Sequence, residues 1–208
     1  MLELIRKSSL AGLLISLAGM IYLNCENKIV GAFLFSIGLI AVIILETNLF
    51  TGKIGYVNNK QKLLGSLIIL GVNLATAFIC GLLYKLCVGE THAMDTRLAK
   101  EWYRLLFDGI GCGALIYLAV QLKKKYDSII PVIICVMAFI LAGFEHSIAD
   151  TFYFGACALT WEGLLAVGIV IIGNAIGSLL IRFLEVGIKE CITQYFIKTQ
   201  FQMVLGFV

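Results

Sequence analysis

Two long apolar runs in this chain are broken near their middles by polar residues. Glu46 to Lys53 interrupts the run 29–57, and Glu145 to Thr151 interrupts the run 129–157. Hydrocarbon offers backbone N–H and C=O groups no partner. Non-helical backbone at membrane depth is therefore tolerated only where protein buries it or where it lines a water-filled cavity. Two such interruptions in one chain point to a shared central pathway, and they rule out a simple bundle of uninterrupted spans.

Composition supports the membrane premise. Of the 208 residues, 61% are hydrophobic and 14% are charged, against about 25% charged in an average soluble domain. The run 8–23 follows Arg6-Lys7 as a signal peptide would, but further runs follow it and no clear small-residue cleavage site is present, so it reads as a span. At about 20 apolar residues per crossing, the segments are roughly 8–23, 29–57, 63–86, 105–122, 129–157 and 161–183. With one Pro and no low-complexity linker, residues 1–208 read as a single transmembrane domain with repeat halves of about 1–87 and 105–185. The expected fold class is an all-α membrane protein of six transmembrane segments whose second and fifth helices are broken.

Lysine and arginine set the expected orientation. With the N-terminus inside, the inner segments hold Arg6, Lys7, Lys53, Lys60, Lys62, Lys123, Lys124, Lys125, Arg182, Lys189 and Lys198. The outer segments hold only Lys28, Lys85, Arg97, Lys100 and Arg104. The positive-inside rule then puts both termini in the cytoplasm. The run Lys123-Lys124-Lys125 is most simply such an anchor. In the outer loop 88–107, Trp102, Tyr103, Leu105 and Leu106 suit an interfacial helix leading into the fourth span. The tail after Glu185, with Tyr195, Phe196, Lys198 and Phe201, suits a segment on the membrane or beneath the bundle. The net charge of +3 makes no case for nucleic acid. Seven cysteines show no CxxC or Cys/His spacing, so neither a metal nor a cofactor is expected.

The second break holds the most informative residues. Glu145, His146 and Asp150 lie at about membrane depth, where ionisable groups line cavities, pathways or helix contacts. Of the two histidines, His92 falls in the most polar loop, so His146 is the one a functional reading has to explain. The plain alternative is a buried histidine that only holds the break in place. Glu145 reads better as a tie to a neighbouring segment than as a substrate ligand. Asp150 reads better as the N-cap of the half-helix after the break; facing the pathway, it would repel anions. Glu46 finds no assignment.

The two breaks look alike. Leu45 to Gly52 and Phe144 to Thr151 both begin with an apolar residue and Glu, and each is followed by a span with Asn among small residues: Asn73 in Gly71 to Ala75 and Asn174 in Gly173 to Gly177. Two halves of three spans, each with a broken middle span, would run in opposite senses through the membrane. That is the inverted-repeat plan of many transport proteins.

At these residues the sequence resembles the formate/nitrite transporter family. The resemblance is carried by Leu49-Phe50-Thr51-Gly52, Gly109-Ile110-Gly111-Cys112, Leu118-Ala119-Val120, Gly143-Phe144-Glu145-His146-Ser147-Ile148-Ala149, Leu159-Thr160-Trp161 and Gly173-Asn174-Ala175-Ile176-Gly177. These pieces fall in the family's order over most of residues 30–185. The resemblance implies an aquaporin-like six-span protomer, a homopentamer with one pore per protomer, and passage of small monovalent anions or their conjugate acids. It implies that Thr51 faces His146 at the pore centre and that Phe35, Leu39, Leu49, Phe50 and Phe139 form apolar constrictions on either side. Asn174 takes the position of the family's Asn in span six, Asn73 is its counterpart in the first half, and both are expected along the substrate pathway.

The chain also departs from the family's pattern. It is shorter, without the usual N-terminal amphipathic helix and most of the segment between spans five and six. Asn48 stands where the family has Glu, and Asp150 where it has Asn. Asn48, Glu145 and Asp150 are accordingly residues expected to stabilise the breaks. The expected function is a channel or facilitator for small weak-acid anions of the formate, nitrite or hydrosulfide class in a bacterial inner membrane. His146 would assist proton-linked passage, and membrane lipid would be the surrounding partner. The alternatives are a neutral-solute channel of the same architecture, for water, ammonia or undissociated acid, and a non-transporting scaffold. An enzyme is not expected, since no Ser/His or paired-acid arrangement exists outside the break.

Overall fold

The computed structural model describes the backbone of residues 1–205 and the side chains of residues 1–188. The elements are α1 (Leu2–Leu23), α2 (Lys28–Ile44), α3 (Phe50–Lys53), a 3-10 turn (Ile54–Tyr56), α4 (Lys60–Cys87), α5 (Asp95–Leu98), α6 (Trp102–Tyr126), α7 (Ile130–Leu141), α8 (Ser147–Ala156) and α9 (Trp161–Leu205). Among the described residues there is no strand. Helices α1, α4, α6 and α9 are long and apolar enough to cross a membrane, while α2 and α7 are apolar but shorter.

The helix ends follow from local chemistry. Asn27 Oδ1 accepts the Ile29 and Val30 N–H groups at the start of α2, and Asn59 Oδ1 accepts the Lys62 N–H at the start of α4. These are the donors an N-terminus leaves without an intrahelical partner. Pro131 stands in the first turn of α7, where its missing N–H costs nothing. Helix α2 stops where Glu46 takes φ 50°, and α7 stops where Gly143 takes φ 72°. A left-handed residue cannot continue a right-handed helix.

The two interruptions are built by the same hydrogen bonds. The N–H groups of Leu45, Glu46 and Thr47 donate to the carbonyls of Ala41, Ile43 and Val42; those of Ala142, Gly143 and Phe144 donate to Ala138, Ile140 and Phe139. Next, the Asn48 N–H donates to Lys7 O at 3.2 Å, and the Glu145 N–H to Asp108 O at 3.3 Å. The pairing read from sequence, Glu46 with Glu145, is thus corrected by two residues. Glu46 corresponds to Gly143, and Asn48 corresponds to Glu145. What repeats is the left-handed turn and its bonds, so matching by carboxylates gave the wrong register.

Close helix approach completes the frame. Helix α6 packs along α9, α4 along α8, and α1 against α2 and α4. At the α6–α9 contact, a Cβ on Gly113 would lie 2.1 Å from Asn174 O, and one on Gly177 would lie 2.0 Å from Ile110 O. Only glycine fits either position. The loop after α4 holds no long interfacial helix. Its helical part is the four-residue α5, and Trp102 and Tyr103 are the exposed first turn of α6 while Leu105 is buried. The side chains of Tyr195, Phe196, Lys198 and Phe201 lie outside the described residues.

Candidate functional site

The site begins at the N-terminus of α8. His146 is the N-cap, and its Nδ1 accepts the Ala149 N–H at 3.2 Å. An acceptor nitrogen carries no proton, so in the neutral ring Nε2 bears the hydrogen. Nε2 lies 3.1 Å from Thr51 Oγ1, at the start of α3, and donates to it. The two half-helices after the breaks therefore meet through one side-chain hydrogen bond. His146 is 3% exposed and Thr51 0%.

Aromatic rings wall this pair on one side. Phe139 stacks on His146 with centroids 6.2 Å apart, and Phe35 meets Phe139 edge to face at 6.1 Å. These three rings line a cavity of about 470 Å³. Leu39 and Leu49 are each 1% exposed in the same core but do not line this cavity. Phe50 is placed elsewhere. It packs with Ile54 and Ile69 in a separate apolar cluster and does not line this cavity.

Asn73 and Asn174 are clamps and do not border the cavity. Asn73 Oδ1 accepts the Phe50 N–H at 2.9 Å, and its Nδ2 donates to Ser8 O and Asn48 O at 2.8 and 3.0 Å. Asn174 repeats the set: Oδ1 accepts the Ser147 N–H at 2.9 Å, and Nδ2 donates to Gly109 O and Glu145 O, both at 2.9 Å. Each amide satisfies the first free N–H of a half-helix and two carbonyls, and a primary amide does that with its one acceptor and two donors. All three polar demands are met at 0% exposure for both residues. No hydrogen of either amide is left for a passing solute.

The charged residues above His146 hold the largest departure from expectation. Asp150 does not cap α8; that place is taken by His146, and Asp150 Oδ1 instead accepts Arg97 Nε at 2.9 Å. The reason is its position within the first turn of α8, from which its side chain meets the loop over the cavity. Glu145 is bound by Arg97 Nη2 at 2.9 Å and Lys100 Nζ at 2.6 Å. Lys100 also donates to Asp108 Oδ2 at 2.8 Å and Gly143 O at 3.1 Å, and Arg104 Nε lies 2.9 Å from Asp108 Oδ1. Asn48 serves its break through its backbone, by the bonds to Lys7 and Asn73.

Sequence reasoning missed Arg97, Lys100 and Asp108 as members of this network. Asp108 gave a signal: a carboxylate inside an apolar run, 0% exposed. Among the described residues no cluster of His, Cys, Asp and Glu is arranged to hold a metal.

The cavity is lined by Phe35, Phe139 and His146, and behind it His146 is bonded to the buried Thr51. The formate/nitrite transporter family matches residues 1–187, and the chain belongs to that family. It is a transporter and not an enzyme. An uncharacterized transporter of Bacillus subtilis (strain 168), YrhG, is 26% identical over 180 residues, 73% of this chain and 68% of its own length. Among solved structures, an FNT family ion channel is similar with a TM-score of 0.75 at 22% identity, over 90% of this chain and 88% of that one. A pentameric formate channel with formate bound is similar with a TM-score of 0.71 at 18% identity, over 92% and 96%.

Proposed function

We propose that this chain is a channel or facilitator for small monovalent weak-acid anions of the formate, nitrite or hydrosulfide class. The protomer crosses the membrane six times as two inverted halves, with α2–α3 and α7–α8 as broken spans, both termini cytoplasmic, and five copies assembled in a bacterial inner membrane. The family supports the transport class, and the similarity to a pentameric formate channel supports the assembly and the substrate type.

The observation that carries the reading is a cavity lined by Phe35, Phe139 and His146, with His146 Nε2 held on Thr51. A bare anion loses its hydration at such rings at large cost. A weak acid protonated on entry crosses as a neutral molecule. The Nε2–H of His146 is held by Thr51 and its other nitrogen is occupied by the cap, so a solute engages this donor only by displacing the Thr51 hydroxyl. Moving a proton through the ring therefore requires the bond from Ala149 to open, and the His146–Thr51 pair otherwise acts as a fixed donor and hydroxyl.

The test is tracer or stopped-flow uptake of formate, nitrite and hydrosulfide into proteoliposomes at two pH values, for wild type and His146→Asn. Faster uptake at the lower pH, altered by the substitution, supports the weak-acid pathway. Uptake independent of pH across the range where the substrate titrates overturns it. The neutral-solute reading draws on one observation, Asp150 Oδ2, a buried carboxylate oxygen with no hydrogen-bond partner at the cavity wall. It prevails if water or ammonia crosses and no anion does.

A further inference from the structure

We infer that Arg97 determines charge selectivity: it is a positioning residue that cancels the carboxylate of Asp150 at the cavity wall. The inference rests on the cavity above His146 being the route of the solute. Asp150 and His146 line the same cavity, and Asp150 is 1% exposed. Oδ1 accepts from Arg97 Nε at 2.9 Å, Oδ2 is buried and meets no donor, and the Glu145 carboxylate, which shares Arg97, stands beside Asp150.

Arg97 is fixed for this role. Nη2 lies 2.9 Å from Glu145 Oε2, Nη1 donates to Ala93 O at 2.7 Å, and the guanidinium carbon stands 4.7 Å above the Tyr153 ring. The loop that delivers it is itself anchored. Met94 is 2% exposed, and the Thr91 N–H donates to Ala156 O at 3.0 Å. Lys100 does not replace it, since its ammonium is occupied by Asp108, Glu145 and Gly143. Among the described residues, Arg97 is the cation paired with Asp150. Without it a carboxylate would face the incoming solute from a wall of low polarisability, where a unit charge acts strongly at short range. Such a wall repels anions and attracts cations.

The experiment compares wild type, Arg97→Gln, Asp150→Asn and the double variant in proteoliposomes, with formate uptake and methylammonium uptake measured on the same preparations. Arg97→Gln is expected to lower the formate-to-methylammonium ratio at least about ten-fold. Asp150→Asn is expected to leave that ratio at or above the wild-type value. The double variant should return it to within about three-fold of wild type, since an amide pair restores neutrality without either charge. Thermal melting of each purified variant separates selectivity from folding. If Arg97→Gln lowers both fluxes together, or the double variant does not recover, Arg97 is only a structural strut and the inference fails. If wild type carries no formate, the anion reading fails while the inference still stands or falls on methylammonium. An unchanged methylammonium uptake in Arg97→Gln then overturns it.

Discussion

At the scale of single residues, the two asparagines and the His146–Thr51 pair divide the labour. Asn174 satisfies Ser147 N–H, Gly109 O and Glu145 O from one buried amide. Asn174→Ala strands the N–H and both carbonyls, and an unsatisfied buried group costs about 1–3 kcal/mol. A marked drop in melting temperature of the detergent-purified protein is expected, with a similar drop for Asn73→Ala. An unchanged melt for either would mean that the break does not need its clamp. Thr51→Val removes the acceptor of His146 Nε2–H, a bond worth about 0.5–1.5 kcal/mol net. Here the expected outcome is a small change in melting and a clear change in formate flux, because in the function proposed above Thr51 holds the His146 ring that borders the cavity. Loss of folding in Thr51→Val with flux otherwise normal per folded molecule would reverse that division.

At the scale of elements, the contact between α6 and α9 depends on backbone coming close to backbone. The nearest atoms to a new Cβ on Gly113 or Gly177 are carbonyl oxygens, which cannot rotate aside. Gly113→Ala and Gly177→Ala are therefore each expected to destabilise by about 1–3 kcal/mol or to fail to fold, as overpacking does. Gly168→Ala, with nothing within 4 Å of the new methyl, is the control. Replacing a mid-helix glycine by alanine stabilises by roughly 0.5–1 kcal/mol where the site is free. Melting of the three variants side by side checks the contrast. If Gly113→Ala melts like Gly168→Ala, the helices are further apart than described.

For the molecule as a whole, the repeated hydrogen bonds of the two breaks and the distribution of lysines make one topological expectation. On a cysteine-free background, Asn58→Cys and Asp127→Cys should react with a membrane-impermeant maleimide from the cytoplasmic side. Glu90→Cys should react from the opposite side. Asn58 follows α3 and the 3-10 turn, Asp127 ends α6, and Glu90 follows α4. Labelling of all three from one side would remove the inverted arrangement, whatever the flux measurements gave.

Hydropathy and motifs were enough for the helical class and the family, and the resemblance implied that Thr51 faces His146. Hydropathy and chain breaks are local properties, and the Phe-Glu-His-Ser-Ile-Ala string is specific. Only the tertiary structure decided the cap, the register and the ion pairs. Asp150 pairs with Arg97 across 53 residues of chain, and Lys100 with Glu145 across 45. No spacing rule reaches that far, because those distances exist only once a loop has folded across the cavity. The register of the repeat was hidden for another reason. Glu46 and Gly143 share a left-handed backbone but no side-chain chemistry, so the correspondence lies in hydrogen bonds that residue types do not spell out.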